Sequence, residues 1–470
     1  MRRCVQAITA AVLLAGCTAT ATTTGSASTS VSGTAEVSGS PGAGGAPIGP
    51  GSPIPQPVVP GNLRVAPDDQ RVDMTVPTFS HPTDVSNPLF PVSQQASVLF
   101  VGHVDGNPFR TEVTLLPFTR VIQWGGQSIE TLVSQYVAYL DGRLQEVAYD
   151  LYAQADDGSV WYFGEDVADL AHGDIVTKEG TWTAGKDGPA QMIMPGDPQV
   201  GDVYRTENIP GIAFEQVTVQ ETDRTLRGPV APIPGGMVGE ELHLGGGIED
   251  KLFAPGYGEF FTRDGRDVEA LATAVPTDAV SGPMPSGIVR LRAGMDRVAR
   301  QIASGDWRGA KATVASIETA WRALRPGDVP HLEIPWVSRT LSELSHAVRA
   351  RDAVRARQAV IDATLRILDL EIRYLPTTQI DLARIELWTE QLAADAAVKD
   401  ASAVNGDVFT LFYLRDRILQ VLTPDERTSA DTLIDRLQVA GADHDVARAV
   451  TAASSLRRVV ADVQARVGAA

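Results

Sequence analysis

The 470-residue chain is 43% hydrophobic and 21% charged, enough apolar material for two or three domains with cores of their own. Its net charge of −18 argues against nucleic acid and anionic lipid head groups as partners. The charge is uneven, since Gly61 to Pro285 holds 33 acidic and 13 basic residues whereas Ser286 onward holds 24 and 25.

Arg2 and Arg3 precede an apolar run from Ala7 to Ala15, which is too short to span a bilayer and is typical of a secretory signal. Leu14-Ala15-Gly16-Cys17 follows and resembles the bacterial lipobox. The resemblance implies removal of residues 1–16 and lipidation of Cys17. It places the protein on the extracytoplasmic side of the cell membrane, held there by acyl chains. Each buried methylene contributes about 0.8 kcal/mol, so the two chains of a diacylglyceryl group suffice for stable anchoring. Cys4 leaves with the signal and Cys17 is consumed, so no disulfide or cysteine metal centre is expected in the mature chain. Residues 17–60 are nearly all Thr, Ser, Gly, Ala and Pro, with Glu36 the only charge, and read as a disordered tether. Residues 61–86 form an extended lead-in.

From 87 to 275 the pattern is of short strands broken by turns, with Asp-Gly pairs at 105–106, 141–142, 157–158 and 264–265. The expected fold of this acidic domain is an antiparallel β-meander, either barrel-like or a strongly bent sheet. Trp161-Tyr162-Phe163-Gly164-Glu165, Gly180-Thr181-Trp182, Met192-Ile193-Met194-Pro195, Gly201-Asp202-Val203-Tyr204-Arg205 and Phe253-Ala254-Pro255-Gly256-Tyr257-Gly258 resemble an uncharacterised β-domain family of bacterial secreted proteins and lipoproteins. That resemblance implies a fold and a location and brings no catalytic residue with it.

Residues 276–285 hold three prolines and read as a linker. The rest, 286–470, is expected to be an all-α array of four helical hairpins. Asp306, Asp352, Asp400 and Asp443 recur at intervals of 46, 48 and 43 residues, each placed to cap a helix after an Ala-rich helix end. Thr423-Pro424-Asp425-Glu426 has the form of a capping box. Whether the hairpins stack as a solenoid or close as a bundle stays open at this level. Multidomain, β then α, is the fold class.

Catalytic patterns are absent from the sequence. No Gly-x-Ser-x-Gly elbow occurs, and the glycine runs lie among strands rather than before a helix, so no phosphate cradle is expected. No cofactor and no catalytic residue are expected. Glu343 and His346, at i and i+3, are the one metal-like pair, set against the plainer reading of a surface pair. Tyr149, Leu151 and Tyr152 put apolar groups on both faces of one strand. With Trp161 and Trp182, Tyr149 and Tyr152 are candidate ligand contacts in a curved sheet, set against ordinary core packing. The expected function is a lipid-anchored cell-envelope module that binds or interacts without catalysis, with an envelope protein as partner. The alternatives are a carrier of a lipid or other apolar ligand in the β domain, which needs a cavity of several hundred cubic ångströms, and metal binding by the helical domain.

Overall fold

The computed structural model describes residues 49–59, 61 and 63–468. The readings of the signal peptide, of Cys17 and of most of the tether fall outside the described residues.

Turn chemistry sets the strand lengths. Asp105-Gly106 joins β1 (Ser97–Val104) to β2 (Asn107–Trp124), and Asp141-Gly142 joins β3 (Gln127–Leu140) to β4 (Arg143–Gln154). Both residues of each pair have positive φ, 51° and 78° in the first and 49° and 76° in the second, which matches a two-residue turn to the strand twist. Gly125-Gly126, between β2 and β3, and His172-Gly173, between β5 (Val160–Ala171) and β6 (Asp174–Thr177), do the same with different residues. Asp157-Gly158 instead lies in a longer loop.

The remaining strands are β7 (Trp182–Thr183), β8 (Gln191–Met194), β9 (Val203–Ile209), β10 (Ala213–Arg227), β11 (Pro232–His243), β12 (Ile248–Ala254), β13 (Gly258–Asp264) and β14 (Asp267–Val275). Together the 14 strands among the described residues form one antiparallel sheet that does not close. It consists of two six-stranded meanders, β1–β6 and β9–β14, set side by side where β1 pairs with β14 from Ser97↔Val275 to His103↔Val268. β7 and β8 both pair with β5. At the other end, the lead-in covers β9: the Val72 amide donates to the Val203 carbonyl at 2.9 Å, and Asp73 accepts from the Arg205 amide at 2.9 Å while holding Arg71 through two bonds.

Eight helices follow among the described residues: α1 (Ser286–Ala303), α2 (Trp307–Leu324), α3 (Glu333–Ala350), α4 (Ala353–Glu371), α5 (Thr377–Ala397), α6 (Ala401–Asp416), α7 (Pro424–Ala442) and α8 (Val446–Gly468). Asp306, Asp352 and Asp400 cap α2, α4 and α6, accepting from the Gly309, Arg355 and Ala403 amides at 2.9, 3.1 and 2.9 Å. The fourth cap differs from expectation. Asp443 follows the end of α7, and Asp445 accepts from the Arg448 amide at 3.0 Å to start α8, which evens the repeat to 46, 48 and 45 residues. The capping box of Thr423 and Glu426 is present.

The hairpins close in pairs. α1 packs on α2 and α4, and α3 on α2 and α4, around Leu291, Val298, Val337, Leu344 and Ile367; α5–α8 repeat this ring around Leu392, Val408, Leu411, Leu437 and Val463. The array is thus two four-helix bundles in tandem, joined through α4 and α5.

Both faces of the sheet are covered. Alternate residues of each strand point opposite ways: Leu99 and Val101 of β1 pack with Leu332 and Trp336 beside α3, whereas Val98 and Phe100 face the sheet interior. Val137, Tyr139, Val147 and Leu170 of β3–β5 share a core with α5–α8. Between the layers lies a sealed ionic cluster. Arg110 of β2 donates to Asp369 of α4 at 2.6 and 3.2 Å, Arg384 of α5 reaches Asp369 at 3.1 Å and Glu112 at 3.4 Å, and Arg417 binds Glu112 and Gln135. Arg384 and Arg417 are among the largest fully buried side chains.

Two predictions follow from these contacts. Asp445→Ala is expected to cost about 1 kcal/mol in urea unfolding and Asp443→Ala only a few tenths, as a lost cap differs from a lost surface charge; equal costs would place the cap elsewhere. Arg417→Ala, which takes from buried Glu112 one of its three guanidinium partners and from Gln135 its donor, is expected to cost about 3–5 kcal/mol, whereas Arg457→Ala, whose partners Glu386 and Glu390 are half-exposed, costs under about 1 kcal/mol.

Candidate ligand pocket in the curved sheet

The inward face of the sheet lines a cavity of about 80 Å³. Neighbouring strands each contribute alternate residues: Val98 and Phe100 from β1, Val113 and Leu115 from β2, Ser134 and Tyr136 from β3, and Asp150 and Tyr152 from β4. The other meander supplies Thr206, Glu215, Val217, Glu241, Lys251, Phe253, Glu259 and Glu269. Phe90, Val92 and Gln95, which run into β1, close one side. At about 10–15 Å³ for each water-sized group, the space accommodates roughly five to eight.

Register explains why the acids gather. Glu215 on β10 stands opposite His243 on β11, and Glu241 on β11 opposite Glu249 on β12. His243 Nδ1 lies 3.2 Å from Glu215, and Nε2 lies 3.5 Å from Glu249 and 3.8 Å from Glu241. Lys251 Nζ sits 2.7 Å from the same Glu241 oxygen. Thr206 Oγ1 lies 3.1 Å from Glu241 and 3.2 Å from Glu215, and the Tyr162 hydroxyl donates to Asp150 at 2.8 Å. Deeper in the sheet, Trp182 Nε1 donates to Glu207 at 2.7 Å. The Tyr136 hydroxyl, in a residue only 2% exposed, has no hydrogen-bond partner.

Burial acts on these groups in opposite directions. It pushes the Asp150 carboxyl up to about 7, against the hydrogen bond from Tyr162, and lifts Glu146, Glu165, Glu207 and Glu269 well above the carboxylate range, with neighbouring carboxylates adding to the rise. Burial would lower the His243 and Lys251 values, but the surrounding carboxylates outweigh it, raising His243 to about 11 and Lys251 further above its usual value.

The candidates named from sequence separate. Tyr152 lines the cavity. Tyr149, one residue before Asp150, faces the helices and donates to Asp416 at 2.8 Å. Trp161 and Trp182 are fully buried in the sheet core, Trp161 beside Trp124 and Trp182 edge-on to Tyr162. Glu343 and His346 are exposed on α3: Glu343 accepts from Arg339 at 2.9 Å, and His346 Nδ1 lies 2.7 Å from the Ser342 carbonyl. Among the described residues, the group of side chains close enough to hold a metal ion is Glu215, Glu241 and His243, with Lys251 already against Glu241. Sequence reading passed over these acids because they sit on separate strands and share no local motif. A second cleft, of about 280 Å³ between the bundles, is lined by apolar side chains such as Ile302, Val360, Leu392 and Ala453 together with Arg357, Glu390 and Arg457.

The chain matches no protein-family model, and no curated protein matches it in sequence.

The raised carboxyls have a pH consequence. Folding binds protons wherever the folded pKa exceeds the unfolded one, so the contribution of Asp150 and its neighbours is complete below about pH 4 and is lost as the pH rises through 7. His243 acts in the same direction from about 6.5 upward, and Glu112, held below the carboxylate range by Arg110, Arg384 and Arg417, acts oppositely below about pH 4.5. The melting temperature of the full chain is expected to peak near pH 5 and to decline by pH 8; a flat profile over that interval, followed by calorimetry, would contradict the assignment.

Proposed function

We propose that this is a lipid-anchored, extracytoplasmic binding protein of the cell envelope, attached through acyl chains on Cys17, which holds a small ligand within its curved sheet and carries out no catalysis. The observation that carries the reading is the cavity in the curved sheet, where apolar walls meet a few convergent polar groups, the usual build of a binding site. The lipobox supports the location. Among the described residues no helix is long and apolar enough to cross a membrane.

The space favours a small ligand over a lipid. An acyl-chain carrier needs several hundred cubic ångströms, whereas the cavity offers about 80 Å³ and five of its lining residues are acidic. Tyr152 is the one aromatic singled out from sequence that contributes to it. The helical bundles support the sheet from behind, and their exposed outer faces leave room for an envelope partner.

Two measurements test this. Cys17→Ser is expected to move the protein from the membrane fraction to the soluble fraction on cell fractionation; retention in the membrane would refute acyl anchoring. Native mass spectrometry of the full chain, released in mild detergent, is expected to show a reproducible excess over the denatured mass. Ser134→Phe, which fills the cavity, abolishes that excess. An excess that persists in the filled variant would move the ligand elsewhere.

A further inference from the structure

The cavity wall is short of positive charge. Asp150, Glu215, Glu241, Glu259 and Glu269 line it, against Lys251 in the lining and the His243 imidazole beside Glu215 and Glu241. That lysine shows what the wall accepts: its ammonium group is buried, 2.7 Å from Glu241 and 4.0 Å from Glu259. The aromatic residues Phe90, Phe100, Tyr136, Tyr152, Phe253 and Tyr257 surround the same space. Such rings attract cations through their faces while covering an apolar body.

From this juxtaposition of five acidic side chains, one lysine and six aromatic rings around one space, we infer that the ligand is a small organic cation, an amine or ammonium of about five to eight heavy atoms. The inference rests on the cavity being a ligand site, as proposed above. Two further observations favour it. Tyr136 lines the cavity and its buried hydroxyl has no protein partner, which leaves it for a ligand amine or a water beside it. Asp150 and Glu269, whose anions burial disfavours, would ionise against an incoming cation, releasing their protons to solvent and exchanging a neutral acid for a paired charge.

Other ligand chemistries fit less well. An anion would meet five carboxyl groups and find Lys251 already paired. A neutral polyol would need hydrogen bonds but no excess of carboxylates. A bare divalent ion at Glu215, Glu241 and His243 would compete with the Lys251 ammonium for the Glu241 oxygen.

The test uses four probes of similar size on the full chain in mild detergent: putrescine, choline, butane-1,4-diol and succinate, followed by isothermal titration calorimetry, with Zn²⁺ as a fifth. At least one of putrescine and choline is expected to bind, and the diol, succinate and Zn²⁺ are not. Glu269→Gln and Asp150→Asn are each expected to weaken amine binding by about tenfold or more. Each replaces a buried acid, neutral in the ligand-free fold, by a neutral group of the same shape, so circular dichroism is expected to show both variants folded. Amine binding that these variants leave unchanged and that salt abolishes would be surface attraction to an acidic protein, and would overturn the inference. Binding of the diol or succinate that is lost in Ser134→Phe would overturn the cation but keep the pocket. Zn²⁺ binding lost in His243→Gln would replace the amine by a metal. If no probe binds and the native and denatured masses agree, the pocket reading falls as well.

Discussion

Glu112 is buried with Arg110, Arg384 and Arg417 around it, and Asp369 is buried between Arg110 and Arg384. Every one of these groups loses its hydration on folding, and none is tolerable without the others. Because Arg110 and Glu112 belong to β2 while the rest belong to α4, α5 and the end of α6, the sheet and the helices cannot separate without exposing the whole set. Arg143 to Asp395 at 3.0 Å and Asn405 to the Gly173 carbonyl at 2.8 Å tie the far side of the same interface. At Gly173 the backbones meet so closely that an added Cβ would lie 1.8 Å from the Ser402 carbonyl oxygen. The two halves are therefore one mechanical body, with the helices acting as a rigid backing for the curvature of the sheet.

That double coverage decides what was legible in the sequence. A sheet with one wet face alternates clearly, whereas here β1 and β5 are buried on both faces over most of their length and charged residues such as Arg110, Glu112, Asp150 and Glu165 are buried at strand positions, so burial does not follow the hydropathy pattern. Tyr149, Leu151 and Tyr152 gave a true hint of two covered faces, but the cover on the Tyr149 side is helix rather than ligand. Strand existence and the β-then-α order came through because turn residues and N-caps act locally. Asp443 was misplaced because Asp443 and Asp445 are both acids two positions apart, and only the geometry of the Arg448 amide separates them.

The pocket was hidden for a related reason. Its acids lie on five strands from both meanders, brought together by register and not by spacing along the chain. Buried carboxylates at strand positions look, in one dimension, like the solvated polar face of an ordinary antiparallel sheet. The −20 balance of the 61–285 region was visible from counting; that much of it points inward was not. An interior this acidic stores unfavourable protonation energy at neutral pH, which a binding site can release on meeting its ligand.

The pairing of β1 with β14 also constrains how the chain can assemble. These strands are neighbours in space but some 170 residues apart in sequence, so closing their ladder orders a long loop and gives the sheet a high contact order. A chain emerging from its N-terminal side presents β1 as a bare strand edge, and β2 with Arg110 and Glu112 unmatched, until β14 and then α4–α6 have appeared. During that interval the first meander is an aggregation-prone half-sheet whose charges lack their partners. Of the acids that later line the pocket only Asp150 lies on this half, so keeping such intermediates apart falls to its exposed carboxylates, among them Asp141, Asp156, Asp157 and Asp166, whose mutual repulsion gives surface charge a role in the time before the fold exists.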